Sequence, residues 1–112
     1  KVVRFDNSVK VPQIGWNQIY DLQSDLFEGV NEKEYVYLVH SFYVKECEET
    51  ICSTEYGVEY TSAIKKNNFY GVQFHPEKSS KAGEKILENF FKECISFISD
   101  LCFFCVSSSV TL

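Results

Sequence analysis

No cluster of lysine and arginine, no long apolar run and no repeated segment marks this sequence, and each absence closes off a class of function. The formal net charge is −5, with Lys+Arg 11 against Asp+Glu 16. A chain that grips phosphates by releasing counterions carries a basic patch or stripe, so nucleic acid is not an expected partner. The longest apolar-rich stretch, Ile95 to Val106, is interrupted by Ser96, Ser99 and Asp100, and it is shorter than the roughly 20 residues that cross a membrane. No membrane partner is expected. The opening residues Lys1-Val2-Val3-Arg4-Phe5 turn polar at once, without the charged-then-apolar order of a secretory signal. The five cysteines, Cys47, Cys52, Cys94, Cys102 and Cys105, are odd in number and irregularly spaced. That does not suit a secreted disulfide framework. They read as small apolar side chains in a reducing cytoplasm.

What is present suits one small domain. The chain has 112 residues, of which 45% are hydrophobic and 16% aromatic, enough for a core, although small chains bury a lesser share of their surface. Residues 2–5 and 9–14 are short apolar segments around the turn-forming Asp6-Asn7-Ser8 and predict a strand pair or hairpin. Gly15-Trp16-Asn17 interrupts the second of them. Residues 21–30 alternate acidic and apolar residues and close on Gly29, as a helical turn or a loop does. Residues 34–44 are dense in β-branched and aromatic side chains, and their near-continuous apolar character predicts a strand buried on both faces. Three short strands follow over 50–56, 58–64 and 69–74, with Asn67-Asn68 suited to a tight turn at positive φ. From Ser79 the period changes. Ile86, Leu87, Phe90, Phe91 and Cys94 recur at helical spacing, with Ser79 or Ser80 as N-cap. The fold class is therefore α/β, with mixed, largely antiparallel strands followed by one amphipathic C-terminal helix.

The sharpest local feature is Gly71-Val72-Gln73-Phe74-His75-Pro76-Glu77-Lys78-Ser79-Ser80, at a strand-to-helix junction. His75 and Glu77 are two apart, so an extended backbone points both side chains to one side. Pro76 between them fixes φ and delays the helix. A carboxylate beside an imidazole holds one ring nitrogen protonated and leaves the other as a base for a thiol or hydroxyl. The same pair also occurs as a surface or capping arrangement at strand ends. His40, inside an apolar strand, reads as a satisfied core residue.

That segment resembles the one carrying the histidine and glutamate of the Cys-His-Glu triad in class I glutamine amidotransferases. Three further features narrow the resemblance to the glutaminase subunits of imidazole glycerol phosphate synthases. They are Pro12-Gln13-Ile14-Gly15-Trp16-Asn17, Tyr37-Leu38-Val39-His40-Ser41-Phe42-Tyr43, and Lys78-Ser79-Ser80 after the glutamate. The likeness runs from about residue 1 to about residue 94 and implies the C-terminal half of a flavodoxin-like amidotransferase domain. Residues 95–112 stand apart as an atypical tail. The resemblance implies His75 as general base and Glu77 as its orienting partner. Ser41 and Phe42 match the main-chain segment that holds the amino-acid end of glutamine. Trp16, Tyr37 and Lys78 match positions facing the partner cyclase subunit, a (β/α)₈ barrel that receives ammonia in a heterodimer. Trp16 and Tyr37 also fit plain core aromatics, and Lys78 a solvated lysine. No cofactor and no metal are implied. Gln13 departs from the pattern, since many members have histidine there.

The family's nucleophile lies in a Gly-x-Cys-x-Gly-x-Gln elbow, and none of the five cysteines has that setting. The glycine loop of the family's oxyanion hole is also missing. Cys102 and Cys105 form a lone Cys-x-x-Cys with no second ligand pair, which falls short of a zinc site. The expectation is an enzyme family whose covalent route this chain cannot run alone. The alternative is a non-catalytic module that keeps only the cyclase-binding surface. A half-sheet would also expose an edge and a core face, which favours self-association.

Overall fold

The computed structural model describes residues 2–96 and 103–106. Among the described residues, eight strands and one long helix follow in order: β1 (Val2–Arg4), β2 (Gln13–Ile19), β3 (Glu34–His40), β4 (Phe42–Val44), β5 (Thr50–Glu55), β6 (Glu59–Lys66), β7 (Phe69–Val72), α1 (Ser80–Ser96) and β8 (Phe103–Val106). Two 3-10 turns, Asp25–Phe27 and Pro76–Lys78, precede β3 and α1 respectively. One sheet runs β1-β4-β6-β7-β8, with β5 on the other edge of β6, and β2 and β3 form a separate antiparallel ribbon. The ribbon is joined to β5 by reciprocal main-chain bonds of 2.9 Å between Tyr20 and Ser53. This is the expected mixed, mainly antiparallel arrangement followed by a helix.

One core lies between ribbon, sheet and helix. Ile19, Val36 and Leu38 come from the ribbon, Cys52, Tyr70 and Val72 from the sheet, and Ile86 and Phe90 from α1. Burying side chains of this size stabilises by about 1.5–3 kcal/mol each. A second cluster gathers Phe5, Tyr43 and Tyr60, with Val9 and Val11 packed against it. The opposite face of the sheet carries an open apolar groove of about 250 Å³ lined by Val44, Ile64, Phe69, Gly71 and Val72 among others.

Several expectations are corrected here. Residues 9–14 do not pair with β1. Val9 and Val11 are spent on the second cluster, Pro12 has no N–H to give a ladder, and β1 pairs with β4 instead. Gly15-Trp16-Asn17 does not interrupt a strand but lies inside β2, where Gly15 takes φ 127, a value open to glycine. The long apolar run over 34–44 is two strands. It breaks at Ser41, so that β3 pairs with β2 while β4 pairs with β1 and β6. Nor is it buried on both faces. Val36, Leu38 and His40 point inward, while Tyr35 stays exposed, the alternation of a ribbon with one open side.

Helix α1 buries Ile86 and Phe90 as the periodicity predicts, but Phe91 is exposed. The buried position between them is Asn89. Its amide Nδ2 donates to the carbonyls of Leu26 at 2.9 Å and Glu28 at 2.8 Å, tying the helix to the first 3-10 turn. Beyond α1, β8 runs parallel to β7, from Phe69↔Phe103 to Val72↔Val106, as a helical crossover between parallel strands requires. Cys102 and the serine run at 107–109 lie outside the described residues. Among the described residues no helix is long and apolar enough to cross a membrane.

Candidate active site

The chain leaves β7 at Val72 and crosses from the sheet to the ribbon. Gln73 N–H donates to Ser62 O at 2.9 Å, still on the sheet side, and His75 N–H donates to Tyr37 O at 2.9 Å, on the ribbon. Phe74 between them is fully buried, which anchors the crossing. His75 keeps an extended backbone, φ −98 and ψ 100, and the 3-10 turn Pro76–Lys78 begins immediately after it. The ring of His75 is mostly enclosed while Glu77 is open to solvent, with His75 Nδ1 3.0 Å from Glu77 Oε2. A carboxylate oxygen only accepts, so Nδ1 carries the proton and donates. In the neutral ring Nε2 then holds the free lone pair. The arrangement can take a proton from a nucleophile presented at Nε2 while Glu77 stabilises the resulting cation.

The turn is held from two sides. Ser79 is fully buried, and its hydroxyl donates to His75 O at 2.6 Å while accepting from Tyr37 N–H at 2.9 Å. As N-cap, therefore, Ser79 contributes only its carbonyl, which takes Gly83 N–H at 3.1 Å; its side chain turns back toward His75. On the helix side a Cβ on Gly83 would fall 1.8 Å from Pro76 O, so α1 meets the turn at van der Waals contact only because position 83 has no side chain. Neither role shows in the local sequence, because both depend on residues brought together by the crossing.

The other singled-out residues separate into groups. Trp16 and Tyr37 face each other across the ribbon with rings 5.9 Å apart at 73°. Trp16 is 52% exposed and Tyr37 half-buried, so neither is a plain core aromatic. Ile14 and Tyr35 are exposed on the same open face. Lys78 is exposed and closes the 3-10 turn through its N–H to His75 O at 3.0 Å. Tyr37 therefore adjoins both the aromatic face and the histidine turn. Ser41 is buried and Phe42 half-buried where β3 passes into β4. Their carbonyls are occupied, Ser41 O by Phe5 N–H at 3.0 Å and Phe42 O by the His40 ring at 2.8 Å. Among the described residues no hydrogen bond joins either to His75 or Glu77.

His40 is the satisfied core residue its setting suggested. Nδ1 donates to Phe42 O, so Nε2 must accept, and it lies 2.8 Å from the Gln13 side-chain oxygen and 3.1 Å from Tyr60 OH. Turning the Gln13 amide so that its NH₂ faces the ring removes the clash of two acceptors. Burial holds the His40 pKa below its ordinary 6.5. The unfolded chain then binds a proton that the folded chain resists. The stability from a neutral His40 is whole above pH 6.5 and is lost as pH falls below it toward the lowered folded value. Urea midpoints should therefore drop on acidification through this window, and His40→Gln should flatten the slope. A wild-type midpoint that holds or rises there would contradict the assignment.

Of the thiols, Cys52 is buried with Sγ 3.2 Å from Ser62 Oγ, and burial pushes its pKa up to about 12. It is protonated at neutral pH and is no nucleophile. Cys47 is exposed in the loop before β5. Among the described residues no group of three His, Cys, Asp or Glu has a metal-binding arrangement.

Comparison with known proteins assigns a family to this mixed sheet and its histidine–carboxylate turn. The family model described as glutamine amidotransferase class-I matches residues 1–94, and the chain belongs to that family. Among individual proteins it is similar to imidazole glycerol phosphate synthase subunit HisH of Bacteroides thetaiotaomicron, at 54% identity over 81 residues, covering 72% of this chain and 41% of the relative. The subunit of the same name from Bacteroides fragilis is 52% identical over 83 residues, 74% of this chain and 42% of the relative. That from Archaeoglobus fulgidus is 46% identical over 93 residues, 80% and 47% respectively. The chain thus spans less than half the length of these relatives.

Proposed function

We propose that residues 1–94 are the base-bearing, C-terminal part of a glutaminase that supplies ammonia to an imidazole glycerol phosphate synthase in the cytoplasm, a step of histidine biosynthesis, with 95–112 as an appended tail. The observation that carries this reading is the 3.0 Å contact of His75 Nδ1 with Glu77 Oε2, which leaves Nε2 for a nucleophile. The segment in which it lies matches the family.

In the complete site a cysteine thiol gives its proton to His75 Nε2 and the thiolate attacks the side-chain amide carbon of glutamine. The C–N bond then breaks, the proton passes from His75 to the departing nitrogen, and ammonia leaves a glutamyl thioester. Water, deprotonated by the same Nε2, hydrolyses the thioester to glutamate and restores the thiol. Glu77 holds the ring in one tautomer and stabilises its cation throughout. Ser41 and Phe42 hold the amino-acid end of glutamine. Each of their carbonyls already accepts one hydrogen bond and keeps a second lone pair for that contact.

The open face of the ribbon fits the second part of the reading. Trp16 and Tyr37, with Lys78 on the adjoining turn, form the surface that meets a cyclase subunit. That surface does not depend on the thiol, so the chain alone could keep the docking function without the chemistry. The apolar groove on the sheet, open among the described residues, also fits a domain completed by further chain.

The purified 112-residue chain should release no glutamate from glutamine above the rate of a His75→Ala control. Release that His75→Ala abolishes would show a nucleophile within this chain and overturn the reading. A Gly-x-Cys-x-Gly-x-Gln coding segment upstream of Lys1 would favour the enzyme over the docking module, and its absence from the whole gene would favour the module.

A further inference from the structure

We infer that Ser79 is a positioning residue for His75, acting through the main chain of Tyr37. The inference rests on the reading of His75 as a base and adds to it a part of the machinery outside the histidine–glutamate pair. The main chain of His75 is fixed at both of its polar groups by one residue of β3. Its N–H reaches Tyr37 O directly, and its carbonyl reaches Tyr37 N–H through the Ser79 hydroxyl. That hydroxyl uses its proton on one bond and a lone pair on the other, with distances of 2.6 and 2.9 Å and no exposure to solvent.

A buried main-chain N–H without a partner is costly, so loss of the hydroxyl cannot be neutral for Tyr37. At His75 it removes one of two donors to the carbonyl, leaving Lys78 N–H at 3.0 Å. The backbone angles at His75 set where its ring emerges, and a ring displaced by even 1 Å breaks a 3.0 Å contact with Glu77. A helix-capping serine would instead aim its oxygen at the N–H groups of the first turn. Ser79 aims it at the histidine. Ser79 touches neither ring nor carboxylate, so its effect is confined to orientation.

The test reads the ring itself and needs no glutamine, so its outcome is independent of whether the amidotransferase reading holds. In the ¹⁵N-labelled full chain, neutral His75 should be the Nδ1–H tautomer. In Ser79→Ala a substantial share should pass to the Nε2–H form, and amide exchange at His75 should accelerate by about tenfold, the equivalent of one lost hydrogen bond. Ile86→Val trims the same helix away from the turn and should leave both readouts as in the wild type. Ser79→Cys keeps the size but replaces the hydroxyl by a weak donor and acceptor, and it decides the matter if the alanine variant does not fold. A folded Ser79→Ala or Ser79→Cys with the wild-type tautomer and wild-type His75 exchange would overturn the inference, as would the same tautomer change in Ile86→Val.

Discussion

Gly83→Ala should destabilise the chain by about 2 kcal/mol or more and part His75 from Glu77, against the sign that helix propensity gives. Replacing glycine by alanine inside a helix ordinarily stabilises by about 1 kcal/mol. Here the added Cβ would lie 1.8 Å from Pro76 O, 2.8 Å from Pro76 C and 2.9 Å from Ser79 Cβ. The nearest atoms belong to main chain, which cannot swing aside as a lysine tip can. Overpacking of this kind costs about 1–3 kcal/mol, occasionally more, so the steric term exceeds the propensity gain. Relief requires α1 or the 3-10 turn to move, and the turn carries Glu77 and follows directly on His75. The checks are the urea midpoint and the tautomer of His75 in the same protein. A variant as stable as the wild type, with its Nδ1–H tautomer intact, would mean that the helix does not seat on Pro76 as described.

How much of this was legible beforehand depended on whether the partners of a residue were local. The turn at Asn67, the strands on either side of it and the face of α1 that buries Ile86 and Phe90 follow from neighbours a few residues away. The His75–Glu77 contact is local too, but its geometry differs from the extended backbone expected: Glu77 lies in a 3-10 turn, and the turn brings its carboxylate to the ring. Non-local pairings were not foreseeable. That β1 would pair with β4, or that β3 and β4 would part at Ser41 into different sheets, is decided by ladders between distant segments. Asn89 and Ser79 look like ordinary helix residues until the 3-10 turn and β3 arrive beside them. Gly83 carries no pattern at all. The parallel β8 was unexpected because residues 95–112 read only as an atypical tail.

The second large effect concerns the chemistry. Co-produced with the remaining part of the Bacteroides thetaiotaomicron subunit, the segment this chain does not match, the chain should form an assembly that hydrolyses glutamine. In that assembly His75→Ala should lower glutamate release by at least about 10²-fold, the usual worth of a positioned base. Glu77→Gln should have a smaller effect, because the amide oxygen can still accept from Nδ1 but no longer carries the charge that stabilises the cation. The relative is matched over 41% of its length, and the unmatched part is what the second polypeptide supplies. Trp16→Ala lies on the open face of the ribbon and serves as a control, expected to leave release from glutamine unchanged in the absence of a cyclase.

The central claim, that this chain contributes the histidine and carboxylate of a shared amidotransferase site, is tested most directly by glutamate release from three samples at equal concentration. They are the chain alone, the purified assembly, and the assembly carrying His75→Ala. Release from the second sample alone is the predicted result. Release from the chain alone, silence from a well-formed assembly, or full activity after His75→Ala would each contradict it.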